Sequence, residues 1–295
     1  MNRDRRPPWE FGRALAGLEI SNLKADEKEN TQRVLSGEFD DNLVTLFNSL
    51  SLQISELTCL SYYYENATER ALLDGFSQAG LAIANMFRQV VAQTSSEAKF
   101  SWNGIERTVP GLPSPEHNSL LHSGKIVDGL PFAFIGGNRE DVSFLSNLSQ
   151  ERHVNSFIRE HPLATNFVSC LKALFRGDET KELAMRAGAL ARQVDDVLDD
   201  NTPEKRLLKD EYKMFLALAA KSPDKIVLRQ ITNCLSSHES IFDAHGGLAS
   251  SLICRSAIAA LTLLELQGVP HDVDHPYAPK AIVNAAVERH KASRG

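Results

Sequence analysis

Apolar residues recur at three-and-four spacing over long stretches of this chain, and that period restricts it to packed amphipathic helices. In DDNLVTLFNSLSLQISELTCLSYYYENATERALLDGFSQAGLAIANMFRQVVAQT, residues Leu43, Phe47, Leu50, Ile54 and Leu57 share one helical face, and Ala79, Ile83, Met86, Phe87 and Val90 share another. The spacing predicts two or more helices there. The period changes at KFSWNGIERTVPG, where Phe100, Trp102 and Ile105 flank Asn103-Gly104. That dipeptide suits a two-residue turn whose central positions both take positive φ, so one small β-hairpin is expected near residues 99–109. A Pro- and Ser-rich loop, PGLPSPEHNSLLHSG, follows it.

From Leu130 onward three stretches each read as helix, short polar turn, helix, with Gly137, Gly177 and Ser222 marking turns 40 and then 45 positions apart. Stacked helical hairpins have this spacing, each burying its apolar face on the next. Any all-helical chain also yields helix pairs at such intervals. Either account gives a mainly α fold of stacked antiparallel helical hairpins, repeat-like, with one hairpin of strands.

The 295 residues, 42% of them hydrophobic, suffice for one large domain, assigned to residues 31–295 with the β-hairpin as an insertion. Residues 1–30 are polar, carry Pro7 and Pro8 and run into the charge-rich NLKADEKENTQR, so a poorly ordered segment is expected there. The formal charge is −6 and no basic run exceeds RDRR at positions 3–6, which argues against a nucleic-acid partner. The start has no apolar stretch of secretory type. LASSLICRSAIAALTLLELQG is interrupted by Arg255 and Glu265 and reads as a buried helix rather than a membrane span. Cys59, Cys170, Cys234 and Cys254 form no C-x-x-C pair, which fits free thiols in a reducing cytoplasm.

Two stretches raise the question of metal chemistry. In DDVLDD, Asp195, Asp196 and Asp199 recur at helical spacing, the arrangement with which isoprenyl diphosphate synthases hold magnesium and a diphosphate. That chemistry needs a second acidic motif, and the only other Asp-Asp pair, Asp40-Asp41, lacks a third carboxylate. In GVPHDVDHPY, His271, Asp272, Asp274 and His275 fall within five positions, and a loop could turn two or three of them onto zinc. The competing account makes Gly268 and Pro270 a helix end and the Asp and His side chains caps for the next helix, which is favoured. HESIFDAH spaces its histidines seven apart, too far for H-E-x-x-H, and neither a nucleophile elbow nor a phosphate-binding glycine motif is present. No cofactor and no catalytic residue are assigned.

The C-terminal third, NCLSSHESIF followed by GGLASSLICRSAIAALTLLELQGVPHDVDHPYAPKAIV, resembles the immunity protein 49 family of bacterial polymorphic toxin systems. The features run in order. His238 and Phe242 end a helix, a Gly-Leu-Ala-rich helix follows, and Gly268, Pro270, Asp274, Tyr277, Pro279 and Lys280 then lead into a terminal segment. WNGIERTVPGLPSP, AFIGGNREDVSFLSNL and FRGDETKEL look like the family's middle region, so the likeness runs from about Phe100 to about Val283. Ile241-Phe242 stands where two aromatics are usual and Ala278 where leucine is commoner; His271 and His275 are not part of the pattern.

The resemblance implies a non-enzymatic cytoplasmic protein that binds and neutralises a cognate toxin domain, encoded by the adjacent gene, with no membrane or nucleic-acid partner. The acidic group Asp195, Asp196, Asp199 and Asp200 would steer a basic toxin, and Tyr62, Tyr63 and Tyr64 are the other candidate contacts, since tyrosine is favoured at interface hot spots. A helical-repeat adaptor with another partner, and a metal-dependent enzyme of the isoprenyl-diphosphate type, remain the alternatives.

Overall fold

The computed structural model describes residues 13–38, 40, 43–91, 97–112, 115, 118–155, 162–178, 180–198, 201–245 and 252–293. The chain is helical already at α1 (Arg13–Ser36), where the sequence suggested poor order to residue 30. Ala16, Ile20 and Leu23 recur at four and three positions and are all buried, so a narrow apolar stripe carries this helix. The long charged side chains between them are good helix formers and leave the stripe hard to see. Residues 1–12 lie outside the described residues.

The two apolar stripes become α2 (Leu43–Tyr64) and α3 (Glu69–Val91). Leu43, Phe47, Leu50 and Ile54 of α2 and Ala79, Ile83, Met86, Phe87 and Val90 of α3 are buried as their spacing predicts, while Leu57 packs at the core's edge. Of the described helices only α2 is long and apolar enough to cross a membrane, and 61% of that stretch is buried inside the fold.

The hairpin is β1 (Glu97–Trp102) paired antiparallel with β2 (Ile105–Pro110), Trp102 opposite Ile105. Asn103 and Gly104 take φ of 49° and 75°, as the two-residue turn requires. Ala98, Phe100 and Trp102 point inward by strand alternation. Phe47 receives Phe100 and Trp102 edge-on at 5.2 and 5.5 Å, and Asn85 of α3 donates to the Ser101 carbonyl at 3.1 Å.

The remaining helices are α4 (Ser123–Ile135), α5 (Arg139–Asn147), α6 (Gln150–His153), α7 (Pro162–Arg176), α8 (Lys181–Val197), α9 (Pro203–Ala219), α10 (Asp224–His245), α11 (Arg255–Leu266) and α12 (Lys280–Ala292). Most helices pack on their sequence neighbours, as stacked hairpins do, and α11 and α12 also fold back onto α4 and α3. The marked turns share one device. After α4, α7, α9 and α11 the chain takes positive φ at Gly137, Gly177, Lys221 and Gly268, and the next amide (Asn138, Asp178, Ser222, Val269) donates back to the carbonyl five residues earlier. Asn138, Thr180 and Thr202 then cap α5, α8 and α9 through their side-chain oxygens.

The α3–α4 crossing is close because it is built on small residues. A β-carbon on Gly80 would lie 2.7 Å from the Ala133 amide nitrogen, and one on Gly136 would lie 2.5 Å from the Ser77 backbone. Nothing larger than glycine fits either place.

Candidate functional site

The four side chains of HDVDH do not converge on one point, and neither ring nitrogen of the buried His271 makes a hydrogen bond among the described residues. His271 is buried under α11 with Nε2 3.3 Å from Glu265 Oε1, and burial pushes its pKa down against the pull of that carboxylate. Asp272 is exposed, 3.6 Å from Lys280 Nζ. Asp274 Oδ1 accepts from the Lys280 amide at 3.0 Å and so caps the start of α12, with Pro279 at the N-cap position. His275 Nδ1 accepts from the Tyr277 amide at 3.3 Å. Among the described residues no three His, Cys, Asp or Glu side chains are grouped to hold a metal ion.

Gly268 ends α11 at φ 83°, and Pro270 and Asp274 are exposed on the turn. Tyr277, in contrast, is a buried anchor. Its carbonyl accepts from the Cys254 amide at 2.7 Å and its ring meets that of His238 edge-on at 5.2 Å. The Tyr63 hydroxyl donates to the neighbouring Pro276 carbonyl at 2.7 Å. Four of the residues that carry the resemblance, His238, Asp274, Tyr277 and Pro279, thus belong to one junction of α2, α10, α11 and α12. Phe242 lies on α10, its side chain outside the described residues.

The surface residues fare differently. Tyr62 and Tyr63 are core residues, because α2 packs on both α1 and α3 and leaves little of its circumference open; Tyr64 is half-buried. Tyr62 Oη donates to Glu69 at 3.3 Å, so neither ring offers itself to a partner. Asp195 sits between Lys209 and Lys213 of α9, at 3.2 and 2.5 Å, and the hydrogen bond from Lys213 leads in pulling its pKa down. Its charge is already matched. Asp196 is exposed, and Asp199 and Asp200 lie outside the described residues. Asp40, the second acidic position weighed for diphosphate chemistry, is bound by Arg107 Nη2 at 2.8 Å.

Two features were missed. The first is a cleft of about 470 Å³ beside the turns that follow α4 and α7, where Phe134 and Phe175 form the floor and Arg139, Asn147 and Asp178 the rim. A second cleft of about 360 Å³ shares Phe134, Phe175, Arg176 and Asp178 with it and extends past Leu218 and Lys221 to Leu263 and Gln267. The turns of four helices therefore lie along one adjoining pair of clefts with an apolar floor and a polar rim. Arg176 donates to the Ser146 carbonyl at 2.6 Å and to Asp178, and Arg139 reaches the His290 carbonyl at 3.4 Å, so the guanidiniums shape the rim.

The second is a buried polar cluster. Cys234 and His238 stand one turn apart on α10, and Cys254 is the N-cap of α11. The two thiols shift each other's titration, Cys234 up and Cys254 well down, and His238 and the Ala257 amide add to the pull on Cys254 against burial. Glu211 of α9 accepts from Ser256 at 2.7 Å. Its carboxyl lies beneath the surface although the residue as a whole is only partly covered. Burial, then the neighbouring Cys254 charge, push it up to about 7. The signal for this cluster was the i, i+4 pair of Cys234 and His238.

Glu211 has a measurable consequence. Its folded pKa lies above its ordinary 4.5, so its contribution to stability is complete below pH 4.5 and is lost as pH rises through about 7. Glu211→Gln, which can still accept from Ser256, is expected to stabilise the protein by about 2 kcal/mol at pH 8 and to change little at pH 4.5. Urea denaturation at the two pH values checks this; equal effects at both would remove the assignment.

No protein family, no curated protein and no solved structure was found to match this chain. The likeness to immunity protein 49 therefore stands on the residues quoted above.

Proposed function

We propose that this protein is an immunity protein, which binds a cognate toxin domain and blocks it, and that the paired clefts receive the toxin. The observation that carries the reading is the alignment of the α4, α7, α9 and α11 turns along one groove with aromatic residues at its floor. Helical-hairpin proteins present their partner surfaces in this way, on rigid stacked scaffolds. An apolar floor inside a polar rim also suits a partner that inserts one anchoring side chain and is then sealed from water. The resemblance of the α10–α12 junction to immunity protein 49 supplies the class of partner. Asp196 contributes long-range steering to the same encounter.

The test is survival of bacteria that express the C-terminal domain of the protein encoded immediately upstream, with and without this chain. Rescue together with a stable one-to-one complex is expected. Asn147→Trp, at the exposed rim, is expected to leave folding intact and weaken the complex at least about tenfold, since a bulky ring would fill the entrance of a hot-spot pocket. A toxic domain that stays toxic overturns the immunity reading; rescue with unchanged binding by Asn147→Trp moves the contact away from the clefts.

A further inference from the structure

The two clefts differ in sign from the molecule that carries them. The chain has a formal charge of −6, yet the charged residues that line the clefts are Arg139, Arg176 and Lys221 against Asp178 alone. Asp178 is already answered within the fold, since Arg176 Nη2 lies 2.6 Å from its Oδ2. The other two cations stand apart. Arg139 lines the first cleft and Lys221 the second, while Phe134 and Phe175 lie in the part that both share, edge-on with ring centres 5.1 Å apart. Both cations are exposed. Arg139 reaches the His290 carbonyl at 3.4 Å and has no carboxylate partner among the described residues. The helix ends beside the clefts carry partial negative charge, but amides of the following turns take up their carbonyls, so the formal charges of the side chains set the sign of the rim.

We propose that the paired clefts take an acidic segment of the partner protein, an extended stretch whose apolar side chain rests on the Phe134 and Phe175 floor while carboxylates on either side of it meet Arg139 and Lys221. This rests on the reading of the clefts as the partner surface and adds what that reading leaves open, the charge of the segment that enters. Along the groove the order is cation, aromatic floor, cation. Its complement is acid, apolar residue, acid. In such a contact the anchor supplies most of the affinity, and the rim charges select the partner and fix its register. Arg139 can take a carboxylate bidentately through its planar fork, whereas Lys221 acts as a point charge. A basic segment meets like charge at both ends and is rejected. Asp196 lines neither cleft, so its attraction acts on another part of the same partner.

The experiment titrates the full chain into short peptides that carry a dye of no net charge and follows fluorescence anisotropy. One peptide has a phenylalanine flanked by aspartates, the second the same phenylalanine flanked by lysines, and the third an alanine flanked by aspartates. The aspartate–phenylalanine peptide should bind at least about tenfold more tightly than either of the others, and more weakly as salt is raised, because exposed charges are screened. In the double variant Arg139→Glu, Lys221→Glu the preference should invert in favour of the lysine peptide. Both side chains are exposed, so the variant should melt at the temperature of the parent chain. Equal or tighter binding of either comparison peptide to the parent chain, a preference that the double variant leaves unchanged, or no binding of any peptide at about 1 mM overturns the proposal. None of these peptides needs the toxin, so the charge assignment can fail while rescue from the upstream domain succeeds. A failed rescue with the aspartate preference intact removes the immunity reading alone.

Discussion

Replacing Arg88 with methionine should lower stability by about 3–5 kcal/mol at neutral pH, because it strands a buried charge. Arg88 Nη2 lies 2.6 Å from Asp141 Oδ1, and the Asp141 side chain is 1% exposed. Burial pushes the Asp141 carboxyl up, and Arg88 is the partner that opposes that push. Methionine keeps the stem but removes the guanidinium, whose carbon lies 4.8 Å from the Phe144 ring centre and which also donates to Asn85 Oδ1 at 2.7 Å, so those contacts go with the charge. The sign with pH follows. Without Arg88 the carboxyl holds its proton more tightly when folded than when unfolded, so the variant's deficit should grow as pH rises and shrink at acid pH, where Asp141 is protonated in both states. Replacing Asp141 with leucine in the same chain should recover most of the loss, since a pair removed together leaves no lone charge. Chemical denaturation of the single and double variants checks this; a deficit that ignores pH would sink it.

Trp102→Ala should cost about 3–5 kcal/mol, the range for deleting a large core side chain that leaves a cavity. The indole is fully covered, stands edge-on to Phe47, and donates Nε1–H to Thr31 Oγ1 at 3.2 Å. One substitution therefore loosens α1, α2 and the hairpin together. Ile105, opposite it in the ladder but half exposed, provides the control: Ile105→Ala should change stability by about 0.5 kcal/mol or less. If the Trp102 variant loses under about 1 kcal/mol, the strand pair is an ornament on the core and not part of it.

Much of this architecture is legible in the sequence because its causes are local. The α2 and α3 stripes need only the helical period, Asn103-Gly104 needs only turn sterics, and Gly137 and Gly177 mark the helix ends. The parts that were not legible depend on what packs against what. Three consecutive tyrosines suggest surface on an isolated helix, but with α1 and α3 on either side of α2 two of them become core. Asp195 reads as part of an acidic patch until Lys209 and Lys213 arrive from the next helix. His271 and Asp274, three positions apart, diverge because one goes under α11 while the other turns to cap α12. Two of the three members of the Cys234–His238–Cys254 cluster are written as an i, i+4 pair; the third is brought in only by the fold.

The hydrogen bond between Tyr63 and the Pro276 carbonyl has a temporal side. It joins positions 213 residues apart. During synthesis at roughly 5–20 residues per second, α2 emerges about 10–40 s before the turn that completes its surroundings is made. Neighbouring helices form in far less time than that, because their contacts are local. The nascent chain therefore passes through a stage in which most helices are paired while the Tyr63 hydroxyl has yet to meet the Pro276 carbonyl. The 268–279 turn acts as the latch of assembly, and damage to it should show first as a slowly maturing or chaperone-dependent product, before any loss of helix content.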